Sequence, residues 1–330
     1  MNKLFIRTNL LAVLLLTIIL FIINVNLLSA ESSTMGKAHL KEILSWNTGS
    51  ETESINLKSM DKTWNFFPQS FILKDGFIWI INRHDPLLVK YPMQEPFVPQ
   101  IIPLSHSKDK KFSARFFIDL VIDQNDIYCL EQSTASFRKT DETGVINTMF
   151  LITENDGVVI AKAWKNADNE FAFFDEGSHK VYFRKFGPKT NDTPDMAGHE
   201  IDVEEPSILP AKDGILAIAK PEENLTAVSF YPRIETGNSI KAAVYDDAKV
   251  LPLDSDDQGN FYLHVSVKDQ DFISVLKKDG DMFSEKRYSV DKIAFPENIT
   301  QYARISGANK LILIVSEANK LCLKECTLAD

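Results

Sequence analysis

The feature that most constrains the fold of this 330-residue chain is a short phrase that recurs at a nearly fixed interval. Each copy has a turn containing Asp, Asn or Gly, then a short apolar and aromatic run, a polar break and a second run. Asp75-Gly76 before Phe77–Ile81 and Asp213-Gly214 before Ile215–Ile218 are two clear copies. The second turn residue falls at positions 76, 126, 170, 214, 260 and 309, so consecutive copies are 44 to 50 residues apart. Short strands repeated with a period in the forties are typical of a β-propeller, in which each repeat forms one four-stranded sheet.

The last repeat is incomplete, because only three strand-like runs follow its start. A further run, Ser54–Lys58, precedes the first repeat and belongs to none of the six. Closing a ring removes two exposed sheet edges that would otherwise promote aggregation. We therefore expect an all-β, six-bladed β-propeller over residues 53–330, closed by this N-terminal strand in the last blade. Two separate β-sandwiches are the alternative, but they would not need a common period.

The first thirty residues differ in kind from the repeats. Lys3 and Arg7 precede the apolar run Leu10–Ile23, and the small residue Ala30 follows. This order is typical of an export signal, whereas the longer stretch Leu10–Leu28 is long enough for a retained membrane anchor. In both cases the remainder is exported, to the periplasm, the cell surface or the medium. Residues 31–52 are polar and are interpreted as a spacer.

The overall charge narrows the classes of partner. The chain has a formal net charge of −10, and residues 1–30 contain Lys3 and Arg7 but no acidic residue, so the exported part carries −12. Such a surface repels nucleic acid and anionic lipid headgroups, whereas a cationic, neutral or metal-bearing partner is penalised less. The expected partner is an extracytoplasmic protein or a small molecule. Three cysteines do not make a disulfide scaffold. Cys322 and Cys326 would be roughly 13 Å apart on one strand, too far to bond unless the chain turns between them.

The stretch from Asp119 to Leu130, continued by Phe137–Asp141, resembles an NHL-type propeller repeat, and Asp254–Leu263 is similar to it. The Asn-Arg pair that is common after the second strand in that family is absent from both. The resemblance covers most of the exported chain in outline. It implies a propeller with a central channel and a functional face made by loops, and it carries over no catalytic residue.

The loops between the second and third strands of the blades are predicted to converge on one rim. Carboxylate and imidazole groups at such a rim suit a divalent cation or a cationic ligand. We call these residues the predicted rim: Arg83, His84, Asp85, Asp175, Glu176, His179, Glu222, Glu223 and Asp269.

No nucleophile elbow, zinc-protease helix, phosphate loop or haem-attachment motif occurs in the sequence. The expected function is therefore a binding or scaffolding module outside the cytoplasm. The alternative is an enzyme, a metal-assisted lyase or hydrolase with its site at the predicted rim. No cofactor other than a divalent cation is suggested.

Overall fold

The structure is a computed structural model. It describes residues 35–329 apart from 48–54, 60–61, 67, 83–85, 107–116, 124–125, 133–135, 141, 152–157, 166–169, 185–199, 203–206, 212, 233–238, 297–298, 300 and 319. The described residues form β-strands joined by turns and irregular segments, and this part of the chain contains no helix. Within them, no helix is long and apolar enough to cross a membrane. The export segment 1–30 lies outside the described residues.

In chain order the strands are β1 (Gly36–Asn47), β2 (Ile55–Ser59), β3 (Lys62–Phe66), β4 (Pro68–Lys74), β5 (Phe77–Asn82), β6 (Leu87–Pro92), β7 (Gln100–Pro103), β8 (Ser105–His106), β9 (Phe117–Asp123), β10 (Asp126–Glu131), β11 (Ser136–Thr140), β12 (Val145–Leu151), β13 (Ile160–Lys165), β14 (Phe171–Asp175), β15 (Lys180–Arg184), β16 (Glu200–Asp202), β17 (Ser207–Ala211), β18 (Gly214–Glu222), β19 (Leu225–Pro232), β20 (Ile240–Asp246), β21 (Ala248–Ser255), β22 (Asn260–Val267), β23 (Gln270–Asp279), β24 (Met282–Val290), β25 (Ala303–Gly307), β26 (Lys310–Glu317) and β27 (Lys320–Ala329).

These strands form antiparallel units of four. The first unit is β4–β7, the second β9–β12, the third β13–β16, the fourth β17–β20 and the fifth β21–β24. The last unit is β25, β26 and β27 with β1 at its outer edge. Short parallel pairings attach β8 to β12 and β1 to β24, and the second of these joins the fifth and last units into one eight-stranded sheet.

The recurring turn explains where the second strand of each unit begins. The second strands start at or directly after the repeat positions, at Phe77, Asp126, Phe171, Gly214, Asn260 and Lys310. Several turns need a left-handed backbone, with φ of 52° at Asp75, 76° at Gly76 and 56° at Asn309. Gly, Asn and Asp adopt this conformation most readily, so the residue types of the recurring turn agree with the observed hairpins.

The expected closing strand is corrected by the strand pairing. Ile55–Ser59 forms a separate two-stranded hairpin with Lys62–Phe66 and is not paired with the last unit. The strand that does pair with the C-terminal strand is Gly36–Asn47, from Lys37 opposite Ala329 to Asn47 opposite Lys320. Much of the segment interpreted as a polar spacer is therefore the outer strand of the last unit.

Hydrophobic clusters lie between neighbouring units and link the last unit to the first. Each cluster takes buried side chains from the facing surfaces of two sheets, as β-sheets do when they pack face to face. Representative facing pairs, in order around the molecule, are Trp79 and Leu120, Phe137 and Phe173, Phe174 and Ile215, Phe230 and Phe261, Ile273 and Leu313, and Ile312 and Phe71. This arrangement places the first strand of every unit on the inside and β1 on the outside.

Candidate functional site

The first strands of the units enclose a cavity of about 670 Å³. Its walls are formed mainly by the C-terminal halves of the first strands of the first five units, together with Arg304 and Ile305 of β25. We call this end of the strands the cavity end. A volume of this size lies within the range of about 300–1,000 Å³ that is usual for small-molecule sites. Residues from every unit line it: Ile72, Leu73, Leu120, Val121, Ile122, Ala163, Trp164, Lys165, Pro210, Ala211, Asp254, Ser255, Asp256, Asp257, Arg304 and Ile305.

Asp119 joins three units beside this cavity. Its carboxylate is fully buried and accepts hydrogen bonds from Ser70 Oγ at 2.6 Å, from the Leu120 backbone N–H at 2.9 Å and from the Ala163 backbone N–H at 2.9 Å. Ser70 belongs to the first unit and Ala163 to the third. Because a buried charge is stable only when it is well hydrogen-bonded, this carboxylate fixes the relative positions of the inner strands.

Asp254 and Arg304 make the corresponding connection on the other side of the cavity. Arg304 Nη1 lies 3.3 Å from Asp254 Oδ1, and the Ile305 N–H donates to Asp254 Oδ2 at 2.8 Å. Arg304 Nε donates to the Phe71 carbonyl at 2.9 Å, which is a direct bond from the last unit to the first. These contacts connect the inner strands that form the wall of the cavity.

Lys162 lies on β13, immediately before the cavity-lining Ala163, and its side chain is only partly buried. It interacts electrostatically with Asp119, Asp254 and Arg304, which come from three other units. Among the described residues its ammonium forms no ion pair within 4.0 Å, although Asp119 and Asp254 are nearby. Burial lowers the pKa of Lys162 to about 8; Asp119 and Asp254 oppose this change and Arg304 adds to it.

At the mouth of the cavity, Asp256 acts as a structural residue. Its Oδ1 accepts the backbone N–H groups of Gln258 and Asn260 at 3.0 and 2.9 Å. Its Oδ2 accepts Asn260 Nδ2 at 2.7 Å and Tyr262 Oη at 3.3 Å. Asp257 beside it is exposed. The carboxylate of Asp256 thus stabilises the turn from β21 into β22.

The predicted rim lies at the opposite end, where the second strand of each unit turns into the third. Asp175 is buried there, and its Oδ1 accepts the N–H groups of Val159 and Gly177 at 2.9 and 3.0 Å, which makes it a turn-stabilising residue. His179 is partly buried, whereas Glu176, Glu222, Glu223 and Asp269 are exposed. Arg83, His84 and Asp85 lie outside the described residues.

Several of the connections that border this opposite end also lie outside the described residues, among them 107–116, 152–157 and 203–206. The role of the predicted rim therefore stays a prediction. In the described part of the chain, three potential metal-ligating groups lie within 4.8 Å of one another only at Glu42, Glu317 and Cys322, none of which belongs to the predicted rim. Burial raises the pKa of Cys322 to about 11, and Glu317 is paired with Lys324, so this group is poorly suited to a cation.

A buried histidine was not anticipated from the sequence. His264 Nε2 lies 3.1 Å from Asp271 Oδ2, and the ring packs edge-on against Phe295. Burial lowers the pKa of His264, although Asp271 acts in the other direction. Burial would raise the pKa of Asp271, but hydrogen bonds from Ile293 and Ser266 and the contact with His264 lower it overall.

The three cysteines are free and buried. Cys322 and Cys326 both lie on β27, as the spacing argument requires for an unbonded pair. Burial raises the pKa of Cys326 to about 12. These thiols are therefore packing groups and offer no reactive site.

Solved structures with the same fold cover most of the chain. The PQQ-bound aldose sugar dehydrogenase from Streptomyces coelicolor is 9% identical, with a TM-score of 0.53 over 89% of this chain and 99% of that chain. YCF48 bound to D1 peptide is 9% identical, with a TM-score of 0.52 over 88% and 96%. A luciferin-regenerating enzyme is 6% identical, with a TM-score of 0.51 over 88% and 97%.

No family model and no curated protein matches this sequence. The similar structures include enzymes and a peptide-bound protein, and at such low identity they show the fold alone. Together with the sheets described above, they identify the chain as an all-β protein with a β-propeller fold.

Proposed function

We propose that this protein is an exported six-bladed propeller that acts as a binding module, and that its central cavity holds a small-molecule ligand. The observation that carries the proposal is the cavity of about 670 Å³, to which the first strand of every unit contributes. Its wall combines apolar side chains such as Leu73 and Trp164 with the charged side chains of Lys165, Asp254, Asp256, Asp257 and Arg304.

Preorganisation supports the same function. Asp119, Asp254 and Arg304 are held by hydrogen bonds that cross between units, so the cavity wall needs little ordering when a ligand enters. Lower ordering cost leaves more of the interaction free energy for affinity. The closed ring also explains why the units stack through apolar clusters on both faces of each sheet.

Export and attachment to a membrane belong to the same proposal. The strand β1 begins at Gly36, next to Ala329, and therefore starts at the cavity end. If residues 1–30 are retained as an anchor, only about five residues separate them from this strand. A chain of five residues spans at most about 18 Å, so the cavity would face the membrane surface. If they are cleaved, the cavity opens to the surrounding solution.

The proposal can be tested with a matched pair of cavity-blocking and control variants. Leu73 is a partly buried residue that lines the cavity, and Leu225 is a partly buried residue at the opposite end. We expect Leu73→Trp to fill part of the cavity and to abolish ligand-induced increases in melting temperature across a library of small metabolites. Leu225→Trp should leave those increases unchanged.

The opposite result would refute this assignment. Ligands whose stabilising effect survives Leu73→Trp but is lost in Leu225→Trp would place the site at the predicted rim. The metal-assisted lyase or hydrolase, the alternative expected from the sequence, would then gain support. Stoichiometric divalent metal lost on replacement of His84 and His179 by Ala would be its direct signature.

A further inference from the structure

One nitrogen of the Arg304 guanidinium group has no partner in the described part of the chain. Nε donates to the Phe71 carbonyl oxygen at 2.9 Å, and Nη1 lies 3.3 Å from Asp254 Oδ1. Neither contact uses Nη2. The side chain is 22% exposed, and Nη2 is not enclosed by protein. Nη2 therefore has two N–H donors available.

The same side chain forms part of the cavity wall. Arg304 lies on the inner strand β25 and lines the cavity next to Ile305. Its Nε is bound to the first unit and its Nη1 to the fifth. A guanidinium group is planar, so fixing two of its nitrogens also fixes the position of the third. The donors of Nη2 thus have a set orientation before a ligand enters, which lowers the cost of binding.

The charged groups around the cavity determine which kind of acceptor suits Nη2. Among the described residues, three cations and four carboxylates line the cavity or lie directly beside it, so the carboxylates exceed the cations by one. They are Lys162, Lys165, Arg304, Asp119, Asp254, Asp256 and Asp257. An anionic ligand would lose its hydration and gain little net attraction from such a set. A cationic group cannot accept a hydrogen bond from Nη2, and the guanidinium repels it.

An uncharged acceptor avoids both costs. The acceptors next to the guanidinium are already engaged, because the Phe71 carbonyl accepts from Nε and Asp254 binds the Ile305 N–H and Nη1. A hydroxyl group would need a further acceptor for its own hydrogen, whereas the oxygen of a ketone or ester only accepts. The apolar side chains of Leu73 and Trp164 in the same wall complement an apolar body.

We propose that Arg304 Nη2 is the donor that orients the cavity ligand, and that this ligand is an uncharged ketone or ester with an apolar body. This inference rests on the proposed function, because it requires the cavity to be the ligand site. It adds the chemical class of the ligand and the residue that recognises it.

The test uses three probes of similar shape and different charge on the full chain at pH 7. Acetophenone is an uncharged ketone, benzoate is an anion, and 1-phenylethylamine is a cation at this pH. Binding is followed by NMR on protein with nitrogen-15-labelled arginine, in which the guanidinium N–H signals report a new hydrogen bond directly. We expect acetophenone to shift the Arg304 signals and to bind at least about tenfold more tightly than either charged probe.

A matched pair of arginine variants separates recognition from folding. Arg304→Lys keeps a positive charge beside Asp254 but has no second terminal nitrogen. Arg287→Lys is the control, because Arg287 lies on the outer strand β24, pairs with Glu285 at 2.8 Å and does not line the cavity. A hydrogen bond to a charged group contributes enough that Arg304→Lys should weaken acetophenone binding about tenfold, whereas Arg287→Lys should leave it unchanged.

The outcomes distinguish this inference from the proposed function. Acetophenone that binds the wild type but not Leu73→Trp, without moving the Arg304 signals, would overturn the role of Nη2 and leave the cavity as a binding site. The wild-type signals decide this even if Arg304→Lys does not fold. Equal or tighter binding of benzoate or 1-phenylethylamine would overturn the uncharged class. If none of the three binds while library metabolites still stabilise the wild type but not Leu73→Trp, the inference fails and the binding function stands.

Discussion

Asp119→Ala is the substitution that most directly tests whether hydrogen bonds between units hold the inner strands together. The change removes a buried carboxylate that accepts from Ser70 Oγ, Leu120 N–H and Ala163 N–H. A buried donor left without its acceptor costs about 1–3 kcal/mol, and bonds to charged groups lie at the upper end. Three such donors predict a loss of about 3–9 kcal/mol in the free energy of unfolding. Asp119→Asn keeps one acceptor oxygen and should lose about 1–3 kcal/mol.

The assay is urea denaturation followed by tryptophan fluorescence, with stability obtained from the midpoint and slope of the transition. Asp126→Ala in the same unit is the matched control. Asp126 pairs with Lys139 at 2.6 Å, but the two side chains are 38% and 33% exposed. Partly exposed ion pairs contribute at most about 1 kcal/mol, so this control should change little. If Asp119→Ala were no more destabilising than Asp126→Ala, the carboxylate would not be the connection described here.

Three further predictions concern buried polar groups. Arg138 Nε lies 2.5 Å from Glu131 Oε2, and both side chains are almost fully buried. Arg138→Met removes the cation that pairs with this buried carboxylate and should therefore lose about 3–5 kcal/mol in urea denaturation; wild-type stability would contradict this. Burial lowers the pKa of His264, so below about pH 6.5 the unfolded chain binds a proton at this residue that the folded protein does not bind. The wild type should therefore lose stability as the pH falls from about 7 to 5. His264→Gln should flatten that slope in melting experiments, and an unchanged slope would refute it. Cys326, whose pKa burial raises to about 12, should resist thiol reagents in the native state and react in urea; rapid native labelling would show that β27 is not packed as described.

The strands that follow the recurring turn could be predicted from the sequence because their signal is local. The Asp75-Gly76 pair needs only its own backbone geometry to begin a hairpin, and the apolar run Phe77–Ile81 that follows it forms most of the second strand of the first unit.

The closing strand could not be predicted in this way. Gly36–Asn47 contains Lys, Ala and Glu, which have weak strand preference. A register shift between Glu42 and Leu44 interrupts its two-residue alternation, so that Leu40, Ile43 and Leu44 have a spacing typical of a helix. Its partner, β27, lies almost three hundred residues away in the sequence. Ile55–Ser59 has the clearer strand pattern and uses it in a local hairpin.

The grouping of residues at the candidate site could not be predicted from the sequence either. Asp119, Lys162, Asp254 and Arg304 all lie on first strands, shortly before the recurring turn, and a polar residue in an apolar inner strand was the available signal. What the sequence could not show is that these residues meet, because their contacts run between units that are joined only when the ring is formed. The loops at the opposite end contain more charged residues than the first strands do, but charge alone does not distinguish a solvent-exposed loop from a ligand site.

The most direct test of the account is whether β1 closes the ring against the C-terminal strand. Leu40 lies opposite Cys326 in the strand pairing, and both pack in the same apolar cluster. Directly opposed residues in antiparallel strands have Cα atoms about 4.5–5.5 Å apart, within the range that disulfides accept. In a background with Cys129 and Cys322 replaced by Ala, Leu40→Cys should form a disulfide with Cys326 when the protein is refolded from urea under oxidising conditions, and Leu57→Cys should not. A Leu57→Cys variant that bonds to Cys326 while Leu40→Cys stays reduced would contradict the ring closure on which the cavity depends.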